Sequence, residues 1–183
     1  EKPNLEAELF LAHPPDERDF EIGAASYAMS VSKPGMMAGG SLFLVTEGSN
    51  AWFFRPAISF GRAVTPLTSG GGAYPFNLAA RLDGCKRIPG NYLERRGIQL
   101  DICFGGEVGV QHVDGDGSVH ENDVPLAALG PSLDLRGELA SDLSVLVRGV
   151  AEVNFLSPVN DYSDTGVGWL FARAEVGVSW RFR

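Results

Sequence analysis

The sequence predicts an all-β fold: a single-domain, antiparallel up-and-down transmembrane β-barrel of about eight strands, with about ten as the alternative. Three observations carry that expectation. The last segment alternates with a period of two. Leu170, Ala172, Ala174, Val176, Val178, Trp180 and Phe182 share one face, and Arg173, Glu175, Ser179 and Arg181 share the other with Phe171 and Gly177. Segments upstream repeat the pattern across short turns, and no helical period runs long enough to compete. Successive side chains of a strand point to opposite faces, so each segment has an apolar side and a charged side. A strand with lipid outside and a polar lumen inside has this pattern.

Composition narrows the classes. The chain has 183 residues, enough for one domain with a real core. Its 44% hydrophobic content argues against disorder. The 23 glycines and 11 prolines suit short strands and turns better than a helical bundle. A formal net charge of -8 makes nucleic acid a poor partner. No stretch approaches the roughly 20 consecutive apolar residues of a spanning helix, but a barrel strand needs only about 9–11. The opening Glu1-Lys2-Pro3 shows no basic start, apolar run or small-residue cleavage site, and reads as a mature or trimmed form.

Strand candidates run in order over residues 5–12, 20–31, 38–46, 52–64, 76–85, 98–113, 126–140, 143–156 and 167–182, with no internal repeat or linker between them. Turn-rich runs such as Lys33-Pro34-Gly35 and Glu47-Gly48-Ser49-Asn50 separate them, and Gly70-Gly71-Gly72 reads as a loop tip. Alternation is clearest late in the chain. Leu133, Leu135, Gly137 and Leu139 oppose Asp134, Arg136 and Glu138; Leu143, Val145, Val147, Ala151 and Val153 oppose Ser144, Arg148, Glu152 and Asn154. The link Ala140-Ser141-Asp142 forces an antiparallel hairpin. The connections at 114–125 and 157–166 are long and polar, the asymmetry of periplasmic turns against external loops. The connection at 83–96 falls on the periplasmic side and is too long for that rule. The candidate list is also odd in number, so residues 5–12 form a partial strand or another strand precedes Glu1.

Seven charged residues fall on one face of neighbouring strands: Asp134, Arg136, Glu138, Arg148, Glu152, Arg173 and Glu175. Both signs occur, and inside a narrow barrel they must pair, because an unpaired buried charge is costly. Such a set is a salt-bridged plug or a polar conduit with a small-ligand site; an eight-stranded interior is just wide enough for side chains to fill, which favours the plug. Cys85 and Cys103 fit one disulfide in an oxidising compartment, the alternative being two buried thiols. If they pair directly across a hairpin, Arg81 faces Glu107 and the bridge pins register.

Metal and catalytic signals are weak. Asp114-Gly115-Asp116-Gly117-Ser118 begins like a calcium loop, but Pro125 stands where an EF-hand needs Glu, so Asp114, Asp116, Glu121 and Asp123 read as a solvated acidic loop. His13, His112 and His120 show no ligand spacing to the cysteines. No nucleophile elbow, zinc-protease motif or phosphate loop occurs. No metal, cofactor or catalytic residue is expected. His112 and His120, with Asp114 and Ser118 close by, are the candidates for an enzyme reading.

The end of the chain resembles the C-terminal assembly signal of bacterial outer-membrane β-barrel proteins: polar, any, Gly, any, any, aromatic, any, aromatic. Glu175, Gly177, Trp180 and Phe182 fill it, although this chain adds Arg183 where the family usually ends on the aromatic residue. The resemblance implies secretion, folding by the barrel-assembly machinery and residence among the lipids of the bacterial outer membrane. Interfacial aromatics have a physical reason, since their rings prefer the membrane–water boundary. Trp180 and Phe182 are expected in one girdle, and Phe155, Tyr162 and Trp169 in the other. The functional expectation is a non-catalytic barrel with a filled lumen, acting structurally or in recognition through external loops. The alternatives are an outer-membrane lipid-modifying enzyme and a soluble lipocalin-like ligand-binding barrel. A soluble calyx puts grease inside and charge outside, whereas a membrane barrel inverts this.

Overall fold

Alternation becomes geometry in eight antiparallel strands. The computed structural model describes residues 20–31, 35–47, 51–64, 76–89, 93, 96–113, 122–156 and 170–182. The strands are β1 (Phe20–Val31), β2 (Gly35–Glu47), β3 (Trp52–Ala63), β4 (Phe76–Arg87), β5 (Ile98–Val113), β6 (Asn122–Glu138), β7 (Leu143–Asn154) and β8 (Leu170–Phe182). Each pairs with the next, and β8 returns to β1 with Phe20 opposite Phe182, closing the barrel. Closure therefore uses eight strands, and the odd count is corrected; the candidate strand at 5–12 lies outside the described residues. No helix among the described residues is long and apolar enough to cross a membrane.

The strand ends also move. β4 continues to Arg87, which trims the over-long connection to residues 88–97. β6 starts at Asn122, taking in part of what the sequence reads as an external loop. Two of the ladders are interrupted, and each gap falls at a proline. Between β2 and β3 the pairing skips from Phe43↔Ala57 to Thr46↔Phe54, across Pro56. Between β6 and β7 it skips from Leu129↔Val153 to Ser132↔Val150, across Pro131. Proline has no N–H to donate, so a closed barrel carrying it loses a bond locally while keeping register.

The faces separate cleanly. On β8, Leu170, Ala172, Ala174, Val176, Val178 and Trp180 point outward, while Phe171, Arg173, Glu175 and Ser179 are buried. The outer wall continues around the barrel through Ile22, Leu42, Ile58, Leu78, Val108, Leu133 and Val147, all exposed. The apolar side is therefore outside, the sign that the sequence left open. A soluble calyx is excluded by this arrangement, because an apolar band of this extent in water has no compensating partner.

Candidate functional site

The interior is built from charges that neighbouring strands deliver at successive heights. From β3 comes Arg55, from β4 Arg81 and Asp83, from β5 Asp101 and Glu107. Asp134 and Arg136 come from β6, Arg148 and Glu152 from β7, Arg173 and Glu175 from β8, and Glu21 from β1. Seven carboxylates and five guanidiniums are buried, and the partly buried Arg87 and Arg181 balance the signs. Every cation is an arginine. Its rigid fork stays charged and can hold two carboxylates at once, which a lysine point charge does less well.

In mid-barrel the pairs are shared. Arg55 Nη1 donates to Asp134 Oδ2 at 2.7 Å, and its Nη2 lies 3.4 Å from Asp83 Oδ2. Arg148 Nη2 donates to Asp83 and to Ser132 Oγ, both at 2.7 Å, while its Nε sits 3.2 Å from Asp134. Arg81 holds Asp83 at 2.9 Å and reaches across to Glu152. Arg173 holds Glu107 at 2.8 Å, Glu152 at 3.2 Å and Glu175 at 3.3 Å. Nearer the rim that carries the ends of β1 and β8, a second group forms. Glu21 accepts from Arg136 at 2.7 Å, Arg181 at 3.1 Å and Ser179 at 3.2 Å, and Arg87 faces Asp101 at 3.6 Å.

Apolar layers separate and cap these groups. Phe43, Val45, Phe53 and Leu146 pack with Cys85 and Cys103 in the half nearer the termini. Tyr27, Met29, Met37, Leu126 and Phe171 close the opposite end. Aromatic faces take up guanidiniums at the boundaries, with Arg173 5.3 Å from the Tyr27 ring and Arg55 5.7 Å from Phe43. Among the close approaches that need glycine, a Cβ on Gly61 would lie 2.2 Å from Tyr27 Oη, and one on Gly105 would lie 2.1 Å from Asp83 Oδ1. A cavity of about 10 Å³ remains among Ser41, Arg55, Ser59, Arg148 and Glu175, room for one water at most.

The sequence-derived set divides. Asp134, Arg136, Arg148, Glu152, Arg173 and Glu175 lie buried in the lumen. Glu138 is the correction: it ends β6, is half exposed at the rim, and comes only within 4.0 Å of Arg181. It keeps the inward parity and pairs with Ser144, but at the last position of the strand the lumen opens to water. Missed by the sequence reading were Arg55, Asp83, Asp101 and Glu21. Cys85 and Cys103 form a disulfide at directly opposed positions, and the same register sets Arg81 opposite Glu107. The guanidinium of Arg81 contacts Asp83 and Glu152, however, while Glu107 holds Arg173.

In the terminal segment Glu175 and Gly177 face inward, whereas Trp180 and Phe182 face outward at the rim. Phe182 stacks on Phe20 with centroids 5.2 Å apart, and Trp52, Phe54 and Trp180 are exposed at the same end. Phe155 is exposed at the opposite end; Tyr162 and Trp169 lie outside the described residues. So do His120, Ser118 and the acidic run Asp114, Asp116 and Glu121. His112 sits on the rim with Nδ1 2.8 Å from Asp123 Oδ1. Among the described residues, Cys85, Cys103 and Asp134 place potential ligand atoms within 4.8 Å of one another, but both sulfurs are bonded to each other.

No protein-family model and no curated protein matches the chain. Solved structures do. Neisserial surface protein A superposes with a TM-score of 0.65 at 11% identity, covering 90% of this chain and 96% of that one. A major outer-membrane protein of Thermus thermophilus gives 0.64 at 14% identity, covering 91% and 100%. The attachment invasion locus protein of Yersinia pestis, in a structure that carries the heparin analogue sucrose octasulfate, gives 0.54 at 13%, covering 91% and 100%. At such identities the likeness is one of fold. Eight closed strands, apolar outside and charged inside, together with these neighbours give the chain the fold of the small outer-membrane β-barrels of bacteria.

Proposed function

We propose that the chain resides in the bacterial outer membrane as a non-catalytic, closed barrel. Its lumen is a structural plug, and its contacts with the outside are made by the loops at the rim opposite the chain termini. The observation that carries this reading is the charge-balanced lattice of buried Arg–carboxylate pairs, in which the cavity beside Arg55, Arg148 and Glu175 has room for about one water. A conduit needs a continuous polar path, and here apolar layers interrupt the polar ones. A recognition role is supported by where the connections emerge. The strand ends Val31 and Gly35, Ala63 and Phe76, Val113 and Asn122, and Asn154 and Leu170 all lie at that rim, and the sequence joining the last two pairs carries Asp114, Asp116, Glu121, Asp161 and Asp164.

The test is reconstitution of the purified chain into planar bilayers and sucrose-loaded vesicles. No conductance steps above the bare bilayer and no sucrose release are expected. Steady ion current from the unmodified chain would reject the plug. The lipid-modifying alternative is read in the same vesicles with a labelled phospholipid. Turnover that disappears in His112→Ala would replace the structural reading by an enzymatic one.

A further inference from the structure

The Cys85–Cys103 bridge lies buried inside the lumen. Cys85 is 0% and Cys103 2% exposed. Toward the terminal rim the sulfurs are covered by Val45, Phe53, Asp101, Arg136 and Leu146, each 2% exposed or less. Toward the barrel centre stand Arg55, Asp83 and Asp134, with Asp134 Oδ2 3.6 Å from Cys103 Sγ. Sideways the wall of hydrogen-bonded strands shuts them in. Thiol–disulfide exchange requires an attacking sulfur in direct contact with its target, so burial of this kind blocks it in either direction.

The bridge itself asks little of the rest of the fold. The two residues are 18 apart in sequence and directly opposed on the consecutive strands β4 and β5, so the hairpin alone can bring them together. We infer that Cys85 and Cys103 are oxidised before the barrel closes, while β4 and β5 are still open to a disulfide-bearing thiol oxidoreductase or an equivalent small disulfide. One cysteine thiolate attacks the donor disulfide and forms a mixed disulfide. The second thiolate displaces the donor sulfur. The chain loses two electrons and two protons, and the donor leaves reduced, as a dithiol from an oxidoreductase or as two thiols from a small disulfide. The reaction that supplies the barrel's substrate form is therefore an oxidation upstream of membrane assembly. It fixes the β4–β5 register, including Arg81 opposite Glu107, ahead of closure.

The experiment uses the full chain and oxidised glutathione as the donor. Reduced chain in urea, and reduced chain already folded into lipid vesicles, receive the same donor. Samples are trapped with iodoacetamide, and bridge formation is counted by mass. Oxidation slower by about a hundredfold or more in the folded barrel is expected, because exchange then waits for opening. Chain oxidised first and then folded should resist dithiothreitol until the barrel is boiled open. Oxidation or reduction in the folded barrel within a few-fold of the urea rate would overturn the inference. Failure of the reduced chain to fold would support it, since the bridge would then have to come first. The conductance assay reads the plug separately, so a leaky barrel with a shielded bridge would leave this inference standing.

Discussion

The two faces of β8 obey different rules, although their residues alternate along one backbone. Outward, Val176, Val178 and Trp180 are about half exposed and need only be apolar to suit hydrocarbon. Inward, Arg173 and Glu175 are almost wholly buried, and each must meet named partners on other strands at hydrogen-bonding distance. The outer face is satisfied by a class of residue and the inner face only by particular ones. Substitutions inside should therefore be punished for geometry, and substitutions outside for polarity and depth.

The largest effect is expected from Arg173→Leu. The change leaves Glu107, Glu152 and Glu175 gathered without their shared cation. Removing one partner of a buried pair costs about 3–5 kcal/mol, most of it from the charge left behind. Urea unfolding in lipid vesicles, followed by tryptophan fluorescence, should show that loss. A shift within about 1 kcal/mol would mean that water reaches the carboxylates and that the lumen is not sealed.

Next comes Val176→Arg, at mid-height on the outer wall. An arginine facing lipid at the bilayer midplane costs about 2–4 kcal/mol, in the same unfolding assay. The residue is as exposed as any on a water-soluble surface, so a soluble barrel would accept the change with no measurable loss. This variant therefore asks what solvent the outer face meets. Gly61→Ala should cost less, about 1–3 kcal/mol, as an overpacked interior does. Its new methyl would collide with Tyr27 Oη and disturb the 3.1 Å bond that this hydroxyl donates to Asn77 Oδ1.

This contrast also explains which parts of the fold are legible in the amino-acid sequence. β6 to β8 were legible because their inward positions carry full charges, as in the run Ser144, Arg148 and Glu152. In β1 and β3 the geometry alternates just as strictly, but the chemistry does not. Ala25, Tyr27 and Met29 face in while Ser26 and Ser30 face out, and Arg55 sits between the inward Phe53 and Ala57. Leu146 and Phe171 look misplaced on a charged face until the apolar layers of the lumen appear. The ion partners were beyond reach for another reason. Arg55 meets Asp134 across 79 residues and Arg136 meets Glu21 across 115, and those pairings follow from closure rather than from local pattern. Glu138 kept the right parity but is the last residue of β6, where the side chain is half exposed at the rim.

The smallest effect on stability is expected at Phe182→Arg, and it separates two demands on the terminal strand. Phe182 lies at the rim, where a charge facing lipid costs only about 0–1 kcal/mol. The lost stack on Phe20 adds about 0.5–1.5 kcal/mol. A barrel refolded from urea into vesicles should therefore be only slightly weaker. If the terminal aromatic also serves as the proposed assembly signal, the same variant should accumulate poorly in outer membranes of cells that express it. Equal losses in both settings would assign Phe182 to the girdle alone. A cellular defect without a stability defect would mean that the side chain is read during insertion, before its stacking partner on β1 is in place.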